Sequence, residues 1–170
     1  MFAERGYAGV SADDIVSAAG LTRGALHHHF GDKAGLFRAV FEQLDSEINA
    51  ELSSALAATP DTPSRLAIGL GTFLDICQRP EVLRIGLTDA PSVLGWQTWR
   101  EIEAEHGLGL IIALIERAIA EGAVISQPPE VLAHLVLSVT MEAALLIASG
   151  TDRSTVEPAL LTMLSGLLST

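Results

Sequence analysis

The stretch SADDIVSAAGLTRGALHHHFGDK, Ser11–Lys33, decides the fold. Ser11 is a good N-cap, and Asp14, three residues on, completes a variant of the capping box. Gly20 ends the helix so begun, where a left-handed backbone favours glycine. Thr22 caps a second helix, Gly31 stops it, and Asp32 caps a third. A helix of about seven residues, a turn of about three or four and a second short helix make a helix-turn-helix. Ile15, Val16, Ala19, Leu21 and Leu26 supply the expected apolar seam. Ala18, Ala19 and Gly20 let the two helices approach closely.

The consecutive His27, His28 and His29 look first like a metal site. Helical zinc ligands recur at i and i+4, on one face. Successive helical side chains point about 100° apart, so one ion cannot easily take all three. No metal and no other cofactor is expected. Imidazole N–H groups can also bond an anion or another polar partner. For His29 the same role stands beside packing against the turn to position Phe30.

Upstream, FAER (Phe2–Arg5) reads as the tail of a helix ended by Gly6. Downstream of Asp32 comes a long helix whose Leu36, Phe37, Val40, Phe41, Leu44, Ile48 and Leu52 recur at three- and four-residue steps. TPDTP at 59–63 breaks it. Further helices are expected at about 63–78, 80–89, 91–106, 108–121, 129–149 and 154–168. No sustained period-two alternation and no hairpin signal competes, so the chain is all-α.

The 170 residues are 49% hydrophobic and 18% charged, a globular composition with enough apolar surface for a sizeable core. One cysteine, Cys77, allows no internal disulfide and fits a reducing compartment. The start lacks an apolar leader, and a cytoplasmic location is expected. Val131–Gly150 is long enough to span a bilayer at about 20 residues. His134 and Glu142 interrupt it, so a helix buried on two sides, with no membrane partner, is the expectation. The net charge of −11 opposes generic nucleic-acid binding. Residues 1–45 carry only −2 of it, so an anion would be met there. No nucleophile–base pair, glycine-rich phosphate loop or paired-carboxylate pattern is present, and no enzymatic activity is expected.

Phe2, Gly6, Tyr7, Ser11, Ile15, Ala19, Gly20, Leu21, Thr22, Gly24, Leu26, His29, Phe30, Lys33 and Leu36 fall in one order and spacing. With them, residues 2–45 resemble the DNA-binding head of the TetR-type transcriptional regulators. The remainder is similar only in being an all-α ligand and dimer domain. His27 stands where the family commonly has Tyr, and Ala25 where Thr is common. Family members continue the first helix upstream of the Phe, often with basic residues, so a truncated first helix is expected here. The resemblance implies an N-terminal helix-turn-helix three-helix head, residues 1–45, and a C-terminal ligand-binding and dimerisation domain, residues 46–170.

The helix from Thr22 would then be the recognition helix, lying in the major groove of double-stranded DNA. Arg23 is its one strong base reader, suited to a guanine edge. Gly24 and Ala25 let the backbone come close. Ser11, Thr22, His27, His28 and Lys33 would complete the contacts, Lys33 on a phosphate. Phe73, Leu87, Leu94, Trp96, Trp99, Ile111 and Ile115 are candidates to line a small apolar ligand's cavity. Glu142, mid-helix in a greasy stretch, is its candidate polar anchor. Residues 129–168 keep a second apolar face, which a homodimer would bury in a four-helix bundle. The expected function is a homodimeric regulator on a palindromic operator, a repressor released by an apolar effector. The alternative is a dimeric small-molecule-binding protein with an impaired DNA-binding head.

Overall fold

The computed structural model describes residues 1–57, 59, 61–123 and 127–167, and the secondary structure among them is helical throughout. The order is α1 Phe2–Arg5, α2 Ala12–Ala19, α3 Arg23–Phe30, α4 Lys33–Ala57, α5 Thr62–Cys77, a π-helical segment Val82–Asp89, α6 Ala90–Leu94, α7 Trp96–Ala120, α8 Pro129–Ala148 and α9 Arg153–Ser165. The chain packs as two units: Met1–Glu47 with Arg79–Ile102, and Ile48–Gln78 with Glu103–Thr170.

In the first unit the anticipated punctuation holds. Ser11 Oγ accepts from Asp14 N while the Asp14 carboxylate accepts from Ser11 N, closing the capping box. Gly20 takes φ 64°, ψ 28° and ends α2. Thr22 Oγ1 accepts from Ala25 N to start α3, and Asp32 Oδ1 accepts from Gly35 N at the start of α4. The seam is narrower than expected: Val16 and Leu26 are buried, but Leu21 is exposed. Leu21 sits in the turn, outside the helical period that buries its neighbours. Phe2, Tyr7 and Phe37 form a mutual ring cluster, with Phe37 edge-on to both partners at 5.2 Å.

Residues 80–89 were expected as an ordinary helix, and the structure widens them. The Ala90 N–H donates to Ile85 O, and Thr88 Oγ1 donates to Leu83 O at 2.7 Å, both five residues back. Pro91 supplies a reason. Its missing N–H and its ring would conflict with the Leu87 carbonyl in a regular α-helix. The wider turn relieves that clash just before α6, in which Pro91 sits in the first turn. The segment packs against α1. The Tyr7 N–H donates to Asp89 Oδ2 at 2.7 Å, and Arg84 Nε lies 3.5 Å from the same oxygen. Gly6, at φ 70° and ψ 170°, passes the Arg84 guanidinium so closely that a Cβ would fall 2.0 Å from Arg84 Nη2.

The expected break at HGLG is absent, and α7 runs through Gly107 and Gly109 as one helix. The chain turns at Gly95 instead, with φ 83°. In the second unit Leu70, Leu74, Ala143, Val156, Leu160 and Leu164 make one core cluster, and Ile115, Leu132 and Ala133 another. Arg153 ties α9 to α5: it pairs with Asp75 and Glu157 and donates to Gly71 O. Cys77 is buried, which, helped by the nearby Glu103 charge, pushes its thiol up to about 12. Pro129–Ala148 is the one helix among the described residues long and apolar enough to cross a membrane. In the single chain it leaves Val131, Leu135 and Leu146 exposed, and α9 leaves Met163 exposed. Leu168, expected on that same apolar face, lies outside the described residues.

Candidate nucleic-acid interface

The helix-turn-helix presents α3 outward. Thr22, Arg23 and Gly24 at its start and His27, His28 and His29 at its end are all exposed. Ala25 is half-buried above Leu26, which anchors the helix to the core. A Cβ placed on Gly24 would meet only Thr22 Oγ1, at 3.7 Å, so another molecule can approach the backbone there. Ser11 Oγ is committed to the capping box, but its hydroxyl proton is not used by that bond. The Thr22 hydroxyl is placed in the same way.

The strong cations of the head all have protein partners. Arg5 Nη2 lies 3.1 Å from Asp14 Oδ2, and Arg38 Nε donates to Glu42 Oε1 at 2.7 Å. Arg23 makes a two-pronged pair with Asp13: Nε donates to Oδ1 and Nη2 to Oδ2. The Arg23 bonds hold the Asp13 carboxyl below the usual carboxylate range, and Asp13 raises the arginine in turn. Asp14 is lowered too, first by the Ser11 backbone N–H.

Lys33 turns inward rather than toward solvent anions. Its ammonium donates to Tyr7 O at 3.0 Å and Val10 O at 2.9 Å. It also lies 3.8 Å from the centre of the Tyr7 ring. A cation in the first turn of a helix opposes the dipole. Two carbonyls and a ring face offset that mismatch without any phosphate.

His27 Nδ1 bonds to Gly31 O across the end of α3. His28 and His29 touch edge to face, and His29 reaches Phe30. Phe30 is itself exposed, and it borders an apolar groove of about 350 Å³ lined also by Leu36, Val40, Leu44 and Ile85. Sequence reasoning did not find this groove, because Ile85 reaches it from a segment distant in the chain.

The residues expected around an effector divide between the units. Leu87, Leu94, Trp96 and Trp99 belong to the first, and Phe73, Ile111, Ile115 and Glu142 to the second. Trp99 is fully buried, and its indole N–H meets no acceptor among the described residues. Trp96, 4.7 Å away ring to ring, is 60% exposed. Leu87 and Ile115 are buried, and Phe73, Leu94 and Ile111 are half-buried. Phe73 packs on the α5–α9 cluster and Ile111 on the cluster around Ile115. Glu142, expected inside, is exposed on α8 between the buried Met141 and Ala143. Its position in the helical period turns it to the face the single chain leaves open.

Comparisons with known proteins agree on one family. Residues 1–40 match the family described as bacterial regulatory proteins, tetR family. Residues 64–170 match that described as tetracyclin repressor-like, C-terminal domain. The TetC protein of transposon Tn10 from Escherichia coli is 27% identical over 135 residues, covering 79% of this chain and 68% of that protein. The HTH-type transcriptional repressor AcnR of Corynebacterium efficiens is 34% identical over 101 residues, covering 55% of this chain and 53% of that protein. Among solved structures, a TetR-family transcriptional regulator from Pectobacterium atrosepticum superposes with a TM-score of 0.84 at 36% identity. That match covers 99% of this chain and 89% of that one.

Proposed function

Because the chain belongs to the TetR family, and is thus a DNA-binding transcriptional regulator and not an enzyme, we propose that it acts as a homodimeric repressor on a palindromic operator and is released by an apolar small molecule. The observation that carries this reading is the outward face of α3, where Thr22, Arg23, Gly24 and the three histidines are all exposed. A recognition helix so presented enters a major groove, and two of them one helical turn apart read a palindrome.

The dimer is supported by the second unit. Val131, Leu135 and Leu146 fall on one side of α8, and Met163 is exposed on α9. Two such helices from each chain would cover one another's apolar faces, with small Ser138 and Ala159 exposed among them. This explains the hydropathy of α8 without a bilayer and fits a cytoplasmic protein. The apolar character of the effector is supported by Trp96, whose ring is largely exposed and stands 4.7 Å from that of the buried Trp99. A repressor role is supported by the name of the AcnR relative. An effector lowers operator affinity only through a difference in its affinity for two dimer states.

A second reading, a dimeric ligand binder with a weakened head, draws on one observation. The head's arginines and its lysine are each engaged within the protein, in a chain of net charge −11. The test is selection of duplexes from a random pool by the full chain, followed by affinity against salt for the enriched sequence. Sedimentation of the free protein and its complex is measured alongside. Enrichment of a palindrome bound by two chains supports the repressor reading. A sedimenting dimer that enriches nothing supports the second.

A further inference from the structure

Asp13 and Arg23 form the most exposed ion pair of the head. Their side chains are 63% and 70% exposed. Such pairs add little to stability, so the pair needs a different account. Its geometry provides one. The Asp13 oxygens take the Nε–H and one N–H of Nη2, which together form one edge of the planar guanidinium. Arginine has five donors in a fixed fork. Three are left, and two of them, one on Nη1 and one on Nη2, point in parallel away from the carboxylate. Guanine shows two acceptors side by side in the major groove, O6 and N7, that match such a fork. Arg23 is the first residue of α3, and the backbone beside it at Gly24 is open.

We infer that Asp13 is a specificity-determining positioning residue, which holds Arg23 by its Nε/Nη2 edge so that the Nη1/Nη2 fork is presented to a single guanine. This rests on the DNA-reading role of α3 proposed above. The carboxylate does two things at once. It fixes the arginine before DNA arrives, so less side-chain freedom is lost in reading the base. It also cancels the arginine's charge, so the side chain remains a donor but is a poor partner for an arbitrary phosphate. Discrimination rises and sequence-independent attraction falls. Asp13 is in the first turn of α2, where a carboxylate is favoured by the helix dipole, so the acid is held at no cost to the fold.

The experiment uses the full chain, the duplex it enriches from a random pool, single base-pair replacements throughout that duplex, and an unrelated duplex of equal length. Arg23→Ala, Asp13→Ala, Asp13→Asn and the double alanine variant are compared, with circular dichroism to confirm folding. Arg23→Ala should lose about tenfold or more discrimination at one guanine. Asp13→Ala should lose discrimination at the same guanine while gaining affinity for the unrelated duplex. Its salt slope there should steepen by about 0.9 per recognition helix. Asp13→Asn, which keeps one acceptor, should retain part of the discrimination. In the Arg23→Ala background Asp13→Ala should leave discrimination unchanged. If Asp13→Ala keeps full discrimination while Arg23→Ala loses it, the inference is overturned and the DNA-reading role stands. If Arg23→Ala loses none at any position, or the parent enriches no sequence, that reading fails and the inference with it.

Discussion

Lys33→Met separates a lysine that serves the fold from one that serves nucleic acid. Methionine keeps an unbranched stem that can still lie against the Tyr7 ring, but it removes the charge and the donors. Two hydrogen bonds vanish, to Tyr7 O and Val10 O, and the Val10 residue is almost wholly buried. A bond to a charged group contributes about 1.5–3 kcal/mol. Lys33 is half-buried, which places each bond at the lower end. The cation over the ring adds about 0.5–1 kcal/mol, and a sulfur–ring contact returns a similar amount. The expected loss is therefore about 3 kcal/mol. Urea unfolding followed by far-ultraviolet circular dichroism and by tryptophan fluorescence measures it. Trp96 and Trp99 share the first unit with the lysine and report on it. Under conditions where both proteins are folded, the salt slope of DNA binding should be unchanged. A variant within about 0.5 kcal/mol of the parent, with a slope flattened by about 0.9 per head, would refute the inward role and return the ammonium to a phosphate.

Gly6→Ala should destabilise by about 1–3 kcal/mol from backbone strain alone, with more from displacing Arg84; in an Arg84→Ala background the excess should disappear, leaving the strain. In urea unfolding, equal costs in both backgrounds would mean that the close approach is immaterial. Asp14, lowered first by its bond from Ser11 N, should stabilise α2 fully above the ordinary aspartate range near 4. That contribution should be lost as pH falls through the lowered value. Protection of the α2 amides, taken relative to the intrinsic exchange rate at each pH, should fall in acid for the parent, whereas Asp14→Asn, weaker at neutral pH, should show less change. Cys77, buried and raised to about 12, should resist alkylation at pH 8 in the folded chain and react at once in urea. Rapid labelling of the native protein would contradict its packing.

Local chemistry made much of this molecule readable. Ser11, Asp14, Gly20, Thr22 and Asp32 act through bonds to backbone within three or four residues, so their effects follow from spacing. The bounds of the exposed helix α3 followed from the same rules. What escaped depends on partners remote in sequence. Asp13 and Arg23 are ten residues apart across a turn, and no helical or strand period relates them. Lys33 finds its carbonyls on residues 7 and 10. The helix through Gly107 survives because burial outweighs the roughly 1 kcal/mol cost of an interior glycine. The widening before Pro91 needed the conflict at Leu87 to be set against the five-residue bonds that resolve it.

The bond from Tyr7 to Asp89 has a consequence for protein engineering. Sequence alone invites a cut after the first 45 residues and transplantation of that piece onto another regulator. The piece would leave behind Asp89, which receives the Tyr7 amide, and Arg84, around which Gly6 is shaped. It would also bare the Phe41 ring where Gly86 lies against it. A chimera meant to carry this helix-turn-helix should import residues 79–102 together with 1–47, as two separate insertions into the recipient. Exchanging only the contiguous N-terminal piece would instead pit this chain's α1 against a foreign segment that lacks its acceptor.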